Sequence, residues 1–198
     1  MATDYEVKGA YGGAFWIDLL GPAVAINPPG AASDPDRDPN SGWLLFDPGA
    51  TELIFQQYQL PHGYVEGQLL GFEPHLHWQK PAGSPSAGKV AWSLRYKWAN
   101  PGAIWTDWSA AITVTEAQFD DNTPGRHLLT SFGYITLADA KISANILCEI
   151  SRLGGNGADT YAGDAALTDA DAHVLVNQAG SVQTFAKYRN EVVWDRRT

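Results

Sequence analysis

The chain has 198 residues, a formal net charge of −9, charged residues at only 18% and aromatic ones at 12%. Nonspecific nucleic-acid binding needs cations that neutralise phosphates, so this balance argues against it, and the short basic end (Lys187-Tyr188-Arg189 and Arg196-Arg197) does not reverse it. Cys148 is the only cysteine, which excludes an intramolecular disulfide and suits folding in a reducing cytoplasm.

The length fits one domain with an appendage. Asp4 and Glu6 stand where a signal peptide would carry positive charge, so no export leader is expected. Residues 14–26 are apolar but broken by Asp18 and Gly21-Pro22, and they are too short to cross a bilayer. Residues 1–41 read as an extended N-terminal arm: an apolar patch (Phe15, Trp16, Ile17, Leu19, Leu20) is followed by Asn27-Pro28-Pro29-Gly30 and by Asp34-Pro35-Asp36-Arg37-Asp38-Pro39. Prolines remove ladder donors and fix φ, so little regular structure is expected from 27 to 41. Two readings of the arm stay open. It folds back on its own domain, or it reaches a neighbouring subunit with Phe15 and Trp16 as anchors.

Residues 42–198 form the domain proper. Strands are predicted at Gly42–Phe46, Leu53–Leu60, Leu69–Gln79, Val90–Trp98, Ala111–Thr115, His127–Ile135, Ser143–Ser151, Ala165–Leu167, Ala170–Val176 and near Val182–Lys187. Turn signals such as Asp47-Pro48-Gly49, Asn100-Pro101-Gly102 and Thr123-Pro124-Gly125 separate them. Glu116–Asp121 and Leu137–Lys141 read as single helical turns, and no long amphipathic helix is present. Short strands with this punctuation predict an all-β antiparallel β-sandwich of jelly-roll type. Two strands alternate strictly. Phe72, Leu76 and Trp78 oppose Glu73, His75, His77 and Gln79; Val90, Trp92, Leu94, Tyr96 and Trp98 oppose Ala91, Ser93, Arg95 and Lys97. The Pro/Gly/Ser-rich linker 80–88 between them predicts a long hairpin with aromatic cross-strand contacts.

The candidate sites each have an ordinary counterpart. His75 and His77, two apart on a strand, project to one side as metal ligands would, and His173, with Asp171 two residues before it, could complete the set if its strand were a neighbour. A cupin would also need a Glu a few residues on, where Gln79-Lys80-Pro81 stands. Two histidines fall short of the three or four ligands of a zinc site, so hydrogen bonding across the sheet is the expected role and no metal or cofactor is assigned. Gly154-Gly155-Asn156-Gly157-Ala158-Asp159-Thr160-Tyr161-Ala162 matches the calcium nonapeptide, but that architecture binds between tandem copies and this chain has one; a loop is expected. The acids Asp159, Asp164, Asp169 and Asp171 read as loop acids rather than a glycosidase pair. No nucleophile elbow, phosphate loop or dinucleotide fingerprint is present, and Cys148 between Ile146 and Ile150 reads as buried and inert. No catalytic residue is assigned. Trp98, Trp105 and Trp108 flank one turn, and Trp43 and Trp194 lie near the domain ends; such rings serve cores and subunit interfaces, or stack on sugars.

Pro74-His75-Leu76-His77-Trp78, then Gly88 to Asn100 with Val90-Ala91-Trp92-Ser93-Leu94-Arg95-Tyr96-Lys97-Trp98, and later Asp159-Thr160-Tyr161, Asp169-Ala170-Asp171-Ala172-His173, Gly180-Ser181 and Lys187, resemble in order and spacing a pattern of small jelly-roll virion structural proteins of tailed bacteriophages. The resemblance spans roughly residues 70–188. It implies a non-enzymatic particle subunit, first of all a capsid decoration (cement) protein that bridges capsid subunits. A tail, head-fibre or receptor- or carbohydrate-binding component is the next reading, and a cupin-like metal-dependent enzyme the third. The implied partners are other copies of the chain, with a trimer expected, and the major capsid protein or other virion proteins; neither nucleic acid nor membrane is among them. The implied location is the virion, assembled in the host cytoplasm. Interface candidates are Phe15, Trp16, Leu19, Trp43, Trp105 and Trp108.

Overall fold

A computed structural model describes residues 13–67, 71–115, 117–119, 121–177 and 180–181. The strand expected near Val182–Lys187, Trp194 and the basic end all lie outside them.

Alternating sequence builds the strands, and their pairing gives the architecture. In chain order they are β1 (Phe15–Leu19), β2 (Asp36–Arg37), β3 (Leu44–Phe46), β4 (Thr51–Gln59), β5 (Phe72–Gln79), β6 (Trp92–Ala99), β7 (Ile112–Val114), β8 (Leu128–Ser131), β9 (Asn145–Leu153) and β10 (Ala165–Val176). One sheet runs β2-β3-β10-β5-β8, with β1 also on β10; the other runs β4-β9-β6-β7. Every strand pair is antiparallel. Numbered from β3, the sheets hold the first, eighth, third and sixth strands and the second, seventh, fourth and fifth. That interleaving is the jelly roll, so the chain is an all-β antiparallel sandwich of that type.

The expected hairpin between the two alternating strands does not form. β5 lies between β10 and β8 in one sheet, whereas β6 lies between β9 and β7 in the other. Their faces are as predicted: Phe72, Leu76, Trp78, Trp92 and Leu94 are all buried. The contact runs through the core, with Trp78 and Trp92 ring centroids 5.9 Å apart and Phe46 edge-on to Trp92 at 5.1 Å. Two apolar faces meet equally well across a sandwich, and a linker this long does not enforce a tight turn.

The two predicted strands at Ala165–Leu167 and Ala170–Val176 are one, with a register irregularity between Leu167 and Asp169. The predicted helical turn at Leu137–Lys141 is a tight turn in which Asp139 has φ 61°. Glu116 and Asp120 lie outside the described residues, and Ala117, Gln118 and Phe119 between them are not helical.

Of the two readings of residues 1–41, the described part follows the first and folds back on its own chain. β1 pairs with the C-terminal half of β10, from Phe15↔Val176 to Leu19↔Ala172, beside the stretch where β3 pairs with its N-terminal half. Ile17 and Leu19 pack against the core while Trp16 and Asp18 stay exposed. Gly21 lets the chain turn inward: a Cβ there would lie 2.0 Å from the Ala170 carbonyl oxygen. Its carbonyl accepts from Ala170 N–H at 2.8 Å and its own N–H donates to Asp171 Oδ1 at 2.6 Å. Arg37 then ties the arm together through the carbonyls of Ala23 and Ile26 and to the start of the domain through that of Gly42.

Candidate functional site: a histidine–carboxylate cluster on the outer face of the larger sheet

Alternation on β5 turns Glu73, His75 and His77 away from the core, and pairing with β10 sets Asp171 opposite His75 and His173 opposite Glu73. β1 adds Asp18 opposite His173. The condition placed on His173, that its strand neighbour β5, is therefore met. His75 and His173 rings are 4.3 Å apart at their centroids, and His75 and His77 rings 5.0 Å apart.

The cluster has two halves that share His75. In the first, His173 sits between two carboxylates, Nδ1 3.1 Å from Glu73 Oε2 and Nε2 3.0 Å from Asp18 Oδ1. Glu73 also accepts from Ser131 Oγ at 2.6 Å. The hydrogen bond to Glu73 raises the affinity of His173 for its proton, and the same bond holds the Glu73 carboxyl below the usual carboxylate range. In the second half, His75 donates from Nδ1 to the Glu73 carbonyl at 3.3 Å, because a carbonyl can only accept. Nε2 is thereby left with the lone pair. His77 places Nδ1 2.8 Å from His127 Nε2 and Nε2 3.8 Å from Asp171 Oδ2. Burial lowers the proton affinity of both His75 and His77, and burial raises that of the Asp171 carboxyl.

Among the described residues, two sets of three donors lie close enough to hold an ion: Asp18 with His75 and His173, and His75 with His77 and Asp171, each with its ligand atoms within 4.8 Å of one another. The three histidines of the cupin reading do not form one set; His75 belongs to both. Glu73 shared the period-two pattern with the histidines and was legible from it. Asp18 and His127 carried no signal, since nothing local reports which strands become neighbours.

The remaining candidates go elsewhere. Asp159 of the nonapeptide match is committed to Arg152, with Arg152 Nε to Asp159 Oδ2 and Arg152 Nη2 to Asp159 Oδ1 both at 2.9 Å, and it also accepts from Ala91 N–H. Both oxygens of the stretch's one carboxylate thus already accept hydrogen bonds within the fold. Cys148 is fully buried, and burial pushes its thiol up to about 12, as expected of an inert cysteine.

The interface candidates separate. Trp16, 38% exposed, leans on Tyr134 at 5.6 Å beside the histidine cluster, and Phe15 is 46% exposed next to it. Leu19 faces the core and Trp43 is half-buried. Trp105 and Trp108 lie over the outer face of the smaller sheet. Segment 106–109 is held along β6 by Thr106 N–H to the Trp98 carbonyl and Ser109 N–H to the Tyr96 carbonyl. There Trp108 receives Arg95 at 4.8 Å and Lys97 at 4.9 Å and leans on Phe55 at 6.4 Å, while Lys97 also lies 5.6 Å from the Trp105 ring. Arg95 forks onto Glu149 at 2.8 and 2.7 Å.

No family model matches the chain, and no curated protein matches it. Solved structures do. The arabinose-bound α-L-arabinofuranosidase MgGH51 is similar at TM-score 0.33 and 10% identity, over 82% of this chain and 23% of that one. This chain thus spans less than a quarter of that enzyme. Caldicellulosiruptor saccharolyticus CBM27-1 in complex with mannohexaose is similar at TM-score 0.35 and 10% identity, over 78% of this chain and 96% of that one. Likeness at this level carries no argument about what this chain binds. Among the described residues no helix is long and apolar enough to cross a membrane.

Proposed function

We propose that the chain is a virion structural protein of a tailed bacteriophage, a decoration subunit that binds the capsid shell and bridges its neighbouring subunits. The observation that carries the reading is the outer face of the smaller sheet, where Phe55 (37% exposed) leans on Trp108, Lys97 lies between Trp108 and Trp105 (41%), and Arg95 pairs with Glu149 beside them. Aromatic rings and arginine, pre-positioned by cation–π contacts, are the groups that anchor protein interfaces. The jelly roll supplies a stiff support, and several weak contacts from an oligomer add through effective concentration. The resemblance in sequence order supports the same reading, and with it self-association as a trimer.

The test is quantitative mass spectrometry of particles purified from lysates that produce the chain. Copies stoichiometric with the capsid protein are expected, and adding recombinant Trp105→Ala/Trp108→Ala protein to particles stripped of the subunit should restore far less binding than wild type. Absence of the chain from particles overturns the reading. If the same substitutions instead abolish retention on an immobilised glycan, the aromatic face belongs to a carbohydrate-binding component.

A further inference from the structure

We propose that His75, His77 and Asp171 form a binding site for a divalent transition-metal ion of the zinc class, held by three protein donors with its remaining position open. The donors come from two adjacent strands whose register places Asp171 directly opposite His75, with His77 two residues along the same face. Strand register therefore places all three on one face before any ion arrives. Imidazole and carboxylate are the ligand types such ions take, and three protein donors with an open position is the arrangement of a reactive rather than a purely structural zinc.

The two halves of the cluster differ in a way that selects this one. Around His173 a proton already satisfies the geometry, because both ring nitrogens lie 3.0–3.1 Å from carboxylate oxygens. Around Asp171 it does not. His77 Nε2 and Asp171 Oδ2 are 3.8 Å apart, beyond hydrogen-bond reach, and His75 has Nδ1 committed to a carbonyl, which leaves Nε2 as a donor of electrons. Bonds of 2.0–2.1 Å at tetrahedral angles put neighbouring ligand atoms about 3.4 Å apart. The 3.8 Å separation is close to that, and the remaining pairs, within 4.8 Å of one another, close by up to about 1.4 Å on binding at those bond lengths.

The supporting contacts match those of metal sites, where ligands are oriented from behind. Asp171 Oδ1 accepts from Gly21 N–H at 2.6 Å, which leaves Oδ2 to the ion. His77 Nδ1 is 2.8 Å from His127 Nε2, and the Glu73 carbonyl holds His75. Because Gly21 is part of the support, ion binding is coupled to docking of β1.

The experiment strips the purified full chain with EDTA, then titrates Zn²⁺ by calorimetry and Co²⁺ by its visible absorption. Wild type is expected to take up one ion saturably, with the intense d–d bands of a low-symmetry site. His77→Ala and, separately, Asp171→Asn should weaken uptake by about 100-fold or more, and His127→Ala by about tenfold. His62→Ala, which belongs to neither three-donor set and is bonded to Ser181, should bind like wild type. Circular dichroism on each variant establishes that it is folded; Asp171→Asn keeps an acceptor for Gly21, so the two ligand variants do not share one route to misfolding. No saturable uptake by wild type, or uptake unaltered in folded His77→Ala, overturns the proposal.

Discussion

Replacing Arg152 with Met tests the reasoning about the molecule's interior most severely. The Arg152 side chain is fully buried, paired with the buried Asp159. It donates to the carbonyls of Phe46 and Gly163 at 2.7 Å and of Tyr161 at 2.6 Å. One guanidinium thus joins β9 to the end of β3 and to the segment entering β10. Methionine conserves much of the volume but leaves Asp159 buried without a counter-charge, a change that costs about 3–5 kcal/mol in comparable sites. Three carbonyls also lose charge-assisted bonds, each worth about 1.5–3 kcal/mol when made singly; these losses overlap with the first and do not add to it in full. Against a total stability of about 5–15 kcal/mol, the variant should lose at least a fifth of its margin, and its Tm should fall by roughly 6–20 °C. Adding Asp159→Asn removes the stranded charge and should recover part of the loss, whereas Arg152→Lys, with a single ammonium group, should fall between. Urea unfolding of the four proteins measures this. An Arg152→Met penalty below about 1 kcal/mol, the ordinary worth of an exposed pair, would refute the claim that this cation organises the loop. Calcium at millimolar concentration should leave wild-type Tm unchanged, because Asp159 is already occupied.

Gly21→Ala should cost about 1–3 kcal/mol, the usual penalty of overpacking, since its Cβ would meet the Ala170 carbonyl oxygen at 2.0 Å. Limited proteolysis should then cut the arm ahead of residue 42, and a wild-type unfolding midpoint would show that the backbone yields there. Cys148, with its thiol pushed up to about 12 and no exposure, should resist a thiol-specific disulfide reagent at pH 8 and react stoichiometrically in denaturant; rapid native labelling would contradict its burial. Burial raises the Glu52 carboxyl above 4.5, against the Asp47 N–H it accepts at 2.7 Å. A raised acid binds its proton more tightly folded than unfolded, so its ionisation destabilises the fold as pH rises past its folded value. Glu52→Gln should therefore be slightly more stable than wild type at pH 7, with the gap closing as pH falls from the raised folded value to 4.5 and absent below it. A gap that stays constant with pH would assign the effect to packing.

Alternation is a local property of the backbone, so most strands from Leu44 to Val176 and the face each one buries are legible in the sequence, whereas β1 and β2 are not. Trp92 and Leu94 turn inward and Arg95 and Lys97 outward as their spacing requires, and Cys148 is buried where flanking isoleucines put it. Tertiary structure alone decided the partners. Period two is the same for strands side by side and strands face to face, so β5 and β6 read as a hairpin although they stand in opposite sheets. The same ambiguity hid the site. His75, His77, Asp171 and His173 are legible as candidates from the sequence, but that they meet one another and Asp18 depends on pairings of β1 and β10 that span up to 161 residues of chain, as at Phe15↔Val176. Such contacts follow from the global arrangement that buries every apolar face at once, and no window of sequence contains that information.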